Sequence, residues 1–139
     1  MNTIKNLLNV KNRHATYHIG LLQTKAYRVL KQRTNIALAD EKIGSLEWAF
    51  LGVLYENRQG VKLIDLADAI GVEPPFVTEL GSKLLKRGFV IYEKDKKDAR
   101  AKLVLLTKSG IDFVDRVEKG LRLESKKWLR GLSAREVLL

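Results

Sequence analysis

Between Pro75 and Arg100 the chain gathers side chains suited to reading a polar surface edge by edge. Pro75, Phe76, Thr78, Glu79, Ser82, Lys83 and Lys86 alternate with Val77, Leu80 and Leu84 at helical spacing. The aliphatic three define a buried side, and Pro75, Thr78, Glu79, Ser82 and Lys86 then point away from it, with Phe76 and Lys83 at its edges. Gly81, on the buried side, permits close packing. Thr78 and Ser82 can hydrogen-bond to bases or phosphates, Glu79 can accept from a cytosine amino group, and Pro75 or Phe76 can press on a thymine methyl. Lys83, Lys86 and Arg87, followed by Lys94, Lys96, Lys97 and Arg100, supply cations for phosphates. The plainer alternative is a solvated helix face beside a charged loop.

Other chemistry finds less support. His14 and His18, four apart, could clip a metal from one helix face, but the first acid in the chain is Asp40 and no further ligand lies nearby in sequence. No metal or cofactor is therefore expected. The chain has no cysteine, which excludes a disulfide, a thiolate metal site and a thiol switch. No nucleophile–base arrangement, phosphate-binding glycine loop or paired-acid motif is present, so the reading is not an enzyme.

The charge distribution agrees with a polyanionic partner. The chain's 139 residues carry a net charge of +10, large for one small domain. Residues 1–39 hold seven Lys/Arg and no acid, and 83–102 hold eight against three, whereas 40–82 hold three against eight. With 45% apolar residues the chain can bury a core as one domain. It has neither a membrane-spanning apolar run nor the apolar block of a signal peptide, and an acid-free N-terminus with no serine before Ser45 is a poor transit peptide. A cytoplasmic protein without membrane attachment is expected.

These side chains must be positioned by a set of helices. Ile4, Leu7 and Leu8 suggest a short helix, and Ile19, Leu22, Ala26, Val29 and Leu30 a long one ending near Leu38. Ser45 is read as the N-cap of the next helix, with Trp48, Phe50, Leu51 and Leu54 along it and Asn57 to Gly60 stopping it. A short helix over Leu63 to Ile70, a tight turn at Gly71-Val72-Glu73, and a helix from Pro74 to Arg87 ending at Gly88 follow. The period then changes: Phe89 to Tyr92 and Leu103 to Leu106 flank the charged loop Lys94 to Ala99 as a β-hairpin. Thr107 can cap a final long helix through Ile111, Val114, Val117 and Leu121, with Trp128 further on. Ser133-Ala134-Arg135-Glu136 is a capping box that announces one more helix, three residues before the sequence ends, and a missing tail is the favoured explanation. The expected fold class is mainly α with a small β-hairpin wing (α+β): a winged helix-turn-helix flanked by helical ends.

Two short helices joined by a glycine turn, then a hairpin with a basic tip, match a helix-turn-helix that lays its second helix in the major groove while the hairpin reaches the adjacent backbone or minor groove. From about Ser45 to Gly110 the residues resemble the multiple-antibiotic-resistance-regulator (MarR) family of winged-helix transcription factors. The resemblance is carried by Ser45-Leu46-Glu47-Trp48, Asp65-Leu66-Ala67-Asp68-Ala69-Ile70-Gly71-Val72, Val77-Thr78-Glu79-Leu80, Leu84-Leu85-Lys86-Arg87-Gly88, and Asp98-Ala99-Arg100 followed by Leu105-Leu106-Thr107. It implies a homodimer on a pseudo-palindromic DNA operator, commonly a repressor released by a small anionic or aromatic ligand. Residues 1–39 and 108–139 would then be dimerisation helices and 45–107 the DNA-binding lobe, reading with helix 74–87 and wing 92–102. Effectors in the family sit between these parts, so Tyr17, Tyr27, Trp48 and Phe50 are candidate pocket residues.

The chain also departs from the family's pattern. Relatives often have Ser or Thr where Pro75 and Phe76 stand, Arg where Glu79 stands, and a basic residue where Ala99 stands. Glu73 and Glu79 repel phosphates, leaving affinity to Lys83, Lys86, Arg87, Lys94, Lys96, Lys97 and Arg100. Asp98 can pair with Arg100 across the turn and hold the wing. Two alternatives stay open: a nonspecific architectural DNA-binding protein, and a winged-helix protein-interaction module that has lost DNA binding.

Overall fold

A long helix, α1 (Tyr17–Leu38), leads through a 3-10 turn (Ala39–Glu41) into α2 (Ser45–Glu56). A two-residue strand β1 (Val61–Lys62), the short helices α3 (Leu63–Ile70) and α4 (Pro74–Lys86), the strands β2 (Val90–Lys94) and β3 (Lys102–Leu106), and the long helix α5 (Lys108–Trp128) follow. The structure, a computed structural model, describes residues 17–130. The short helix expected around Ile4, Leu7 and Leu8, His14 and the capping box at Ser133 lie outside the described residues. The fold class is the expected one, mainly helical with a small sheet.

The core sits in the lobe formed by α2 to β3 and the first half of α5. Phe50, Leu51 and Leu54 of α2, Leu66 of α3, Val77 and Leu84 of α4, Val90 of β2 and Val104 of β3 are wholly buried, with Phe113, Val114 and Val117 of α5 closing it. Leu38 and Ile43 are the contributions of α1's end and the following loop. Burying an aliphatic side chain stabilises by about 1.5–3 kcal/mol, so this cluster dominates the fold's stability.

Local chemistry places the element ends. Gly71, at φ 71°, takes the left-handed conformation, and Val72 N–H donates back to Ala67 O, ending α3 in a Schellman-type reversal. The same device closes α4, where Gly88 has φ 73° and Phe89 N–H donates to Leu84 O. Pro74 opens α4, where its missing N–H costs no helical bond. One expected boundary shifts: Gly44, not Ser45, is the N-cap of α2. The Ser45 N–H is taken by Asn35 Oδ1 at 2.9 Å, and Glu47 reaches back to the Gly44 N–H at 3.4 Å. The connection between α1 and α2 thus fixes where α2 begins.

The expected hairpin is larger than the sequence suggests. Val61 and Lys62 pair antiparallel with Val104 and Leu103, giving a three-stranded sheet in the order β1-β3-β2. Among the described residues no helix is long and apolar enough to cross a membrane.

Candidate nucleic-acid interface

Helix α4 is held by its inner face. Val77, Leu80, Gly81 and Leu84 are buried, and a Cβ at Gly81 would collide with the Tyr92 hydroxyl and touch Phe50. Glycine there leaves room for the Tyr92 side chain of β2. Burial raises the Tyr92 phenol's pKa, and its oxygen has no hydrogen-bond partner among the described residues. With its inner face clamped, α4 presents Pro75, Phe76, Thr78, Glu79, Ser82, Lys83 and Lys86 to the outside, all exposed. Thr78 Oγ1 donates to Pro74 O at 3.2 Å, and the Lys83 ammonium lies 3.3 Å from the Glu79 carboxylate, one helical turn away.

Arg87 has a different place. Its guanidinium donates to Lys42 O at 2.9 Å and to Glu41 O at 3.1 Å, and stacks 4.7 Å from the Phe89 ring centre. Phe89 and Phe113 are stacked at 4.3 Å, and Arg116, beside Phe113, forms a two-bond pair with the Glu41 carboxylate at 2.8 and 3.0 Å. Glu41 raises the pKa of the Arg116 guanidinium through this bond. Arg87, expected among the DNA-facing cations, remains exposed and also ties the end of α4 to the turn after α1. Sequence adjacency to Lys86 hid this, because its partners are backbone carbonyls 45 and 46 residues away.

The wing is pinned at both ends. At its base, the Thr107 hydroxyl donates to Gly88 O at 2.6 Å and accepts from Gly110 N–H at 3.0 Å, joining the end of α4, the sheet and the start of α5. At the tip, Asp98 Oδ1 accepts the backbone N–H of Arg100 at 3.0 Å. The expected side-chain pair between these two is thus replaced by a turn-capping bond, the usual use of a short carboxylate two residues before an amide. A second carboxylate, which the sequence reading did not single out, does similar work: Asp95 Oδ1 accepts Lys97 N–H at 3.0 Å, and its other oxygen lies 3.5 Å from the Lys62 ammonium of β1. The Lys97 amide and then Lys62 hold the Asp95 carboxyl below the usual carboxylate range. Lys94, Lys96, Lys97 and Arg100 are all exposed, and of these cations Lys97 also acts on the Asp95 carboxylate by its charge.

The candidate pocket residues are not brought together. Phe50 is fully buried behind α4 and is corrected to a core residue. Tyr17 and Tyr27 are exposed on α1, Tyr27 beneath the Lys31 ammonium. Trp48 does line a groove of about 700 Å³ between α2 and α5, with Gly52, Tyr55, Val114 and Lys119 among its walls. Tyr55 was missed, although Trp48, Gly52 and Tyr55 recur at helical spacing around a glycine that leaves room. Its hydroxyl donates to Asp115 Oδ1 at 2.5 Å, and this bond, with partial burial, raises the phenol's pKa.

Comparison with known proteins adds to this geometry. Residues 46–102 match the model of the MarR family. The fold is similar to that of a MarR-family transcriptional regulator from Rhodococcus sp. RHA1, with a TM-score of 0.81 at 21% identity over 91% of this chain and 89% of that one. It is similar to S. aureus MepR in a complex with DNA, at 0.74 and 25% over 84% and 86% of the two chains. It is also similar to CouR from Rhodococcus jostii RHA1 bound to p-coumaroyl-CoA, at 0.77 and 22% over 86% and 83%. The match over residues 46–102 takes in the helix, the glycine turn, the clamped outward helix and most of the wing, so this part of the chain is a MarR-family domain, within a fold shared with MarR-family transcription regulators.

Proposed function

We propose that this protein is a homodimeric repressor that binds a pseudo-palindromic operator in double-stranded DNA and is released by a small aromatic ligand. The observation that supports the reading is the set of basic side chains around an outward-facing α4: Lys86, Lys94, Lys96, Lys97 and Arg100 all stand exposed, whereas Arg87 is held by backbone carbonyls. In this reading α4 enters the major groove, with Pro75, Phe76, Thr78, Glu79, Ser82 and Lys83 toward base edges. The wing cations meet phosphates or the minor groove beside it.

Dimerisation is assigned to residues 1–39 and 108–139 and DNA binding to 45–107. Ile19, Leu21, Tyr27, Leu30 and Ile36 of α1 and Leu123 of α5 are exposed, more apolar surface than a lone helix in water favours. The effector is assigned to the α2–α5 groove, where Trp48 and Tyr55 offer aromatic walls, and where Lys119 and Arg122 stand among the carboxylates Glu56, Asp115 and Glu118. The p-coumaroyl-CoA on CouR supports an aromatic class of ligand.

The test is selection from a random-sequence duplex pool at two salt concentrations, with wild type beside Arg100→Ala. A two-fold symmetric motif is expected, bound with a salt slope that falls by about one in the variant. Salt-sensitive binding without a motif would favour the architectural alternative, and no binding at either salt the protein-interaction module. Quenching of tryptophan fluorescence by candidate aromatic acids, absent in Trp48→Phe, checks the groove.

A further inference from the structure

The reading face of α4 has an unusual inventory. From Pro74 to Lys86 it contains no Arg, Asn or Gln, which leaves Lys83 and Lys86 for guanine and no amide for adenine. Its only side chain that accepts without donating is Glu79, 59% exposed. Phe76, at 39% exposure, offers an apolar surface three residues earlier. A carboxylate here is costly near phosphates and has to be compensated by something it accepts from. In the free protein that partner is Lys83, at 3.3 Å.

We propose that Glu79 is the specificity-determining residue of this interface, accepting the exocyclic amino group of a cytosine in the major groove and, by its charge, penalising every other base. The inference rests on the proposed operator-binding function. Among the bases, cytosine presents an amino donor in the major groove without a neighbouring ring-nitrogen acceptor, whereas adenine sets N7 beside its amino group and guanine and thymine present acceptors. A carboxylate facing those acceptors loses its water and gains repulsion. Lys83 completes the device: on the cytosine site it stays close to a carboxylate satisfied by the base, and on other sequences the pair must separate for Lys83 to reach a phosphate. Discrimination thus comes from what Glu79 rejects as much as from what it accepts.

The experiment is selection from a random duplex pool with the full chain as wild type, Glu79→Ala and Glu79→Gln, followed by affinity measurement on the selected and on random-sequence duplexes. Both substitutions are at an exposed position, and thermal unfolding within a degree or two of wild type establishes that they fold. Wild type is expected to select cytosine at one symmetric pair of positions. In Glu79→Ala that column flattens, the preference there falls by about tenfold, and random-sequence DNA is bound several-fold more tightly. In Glu79→Gln the column changes to adenine, whose amino group and N7 suit an amide. A wild-type motif whose columns are all unchanged in both variants overturns the proposal, as does an affected column that prefers a base other than cytosine. Failure of wild type to yield a motif is a separate result: it removes the operator reading itself, and with it this inference.

Discussion

The winged lobe and the outer helices use the same aliphatic residues to opposite ends. In the lobe, the 13-residue α4 buries four positions, and every large aliphatic side chain of α2 is at least partly covered. In α1, 22 residues long, Leu38 at its very end is the only buried position among the described side chains, while Ile19 and Ile36 are about 70% exposed. Helix α5 spans the two behaviours, with Phe113, Val114 and Val117 inside and Leu123 outside. The lobe covers its own hydrophobic surface, whereas the outer helices carry apolar surface that no other described residue covers, the surface to which the proposed dimer contact is assigned.

The largest expected effect is on the lobe. Leu84→Ala removes a fully buried side chain between α4 and α2 and should destabilise the fold by about 3 kcal/mol in denaturant unfolding. A loss under 1 kcal/mol would mean that the lobe is not the stabilising unit.

Outer-helix substitutions should behave in the reverse sense. Ile19→Glu combined with Leu123→Glu leaves the lobe's core untouched and should split the proposed dimer in sedimentation. Affinity for a two-fold symmetric site then falls about 100-fold or more, because linkage of the half-sites is lost. Unfolding of the lobe without dissociation would erase the distinction between the regions.

Arg87 and Lys86 sharpen the comparison at a seam, since they are neighbours with one tied inward and the other free. Arg87→Ala should lower stability by on the order of 1 kcal/mol with an unchanged salt slope of DNA binding. Lys86→Ala should leave stability alone and reduce that slope by about one. An exchange of these outcomes would place Arg87 in the phosphate-facing set.

The smallest effect is on protonation in the α2–α5 groove. The Asp115 bond raises the Tyr55 pKa, so it favours the neutral phenol in the folded chain. Its contribution is present below the unfolded tyrosine value near pH ~10 and fades as pH rises through the raised folded value. In ultraviolet titration, Tyr55→Phe should remove one late-titrating phenol, and Asp115→Asn should bring Tyr55 back toward the usual range.

What the sequence made legible follows the reach of the forces involved. Helices α3 and α4 were readable to within a residue because Gly71, Pro74 and Gly88 act on their own neighbours. Thr107 was recognised as a cap from its position before α5, and the structure adds its bond to Gly88 O. Strand β1 was not readable, since two residues carry no period and find partners only across the fold at Leu103 and Val104. The partners of Arg87 and Asp98 were not readable for a related reason: side-chain charge suggests ionic contacts, whereas both bond to backbone groups whose positions only the folded chain fixes. Phe50 and Trp48, two residues apart on α2, could not be told apart as core and groove until α4 and α5 were in place.

The most direct test of the central claim is sedimentation of the wild-type chain, alone and with a duplex carrying one selected symmetric motif. A dimer in free solution and two chains per duplex, bound in a single step, are expected. A monomer that loads the two half-sites one chain at a time and independently would contradict that claim.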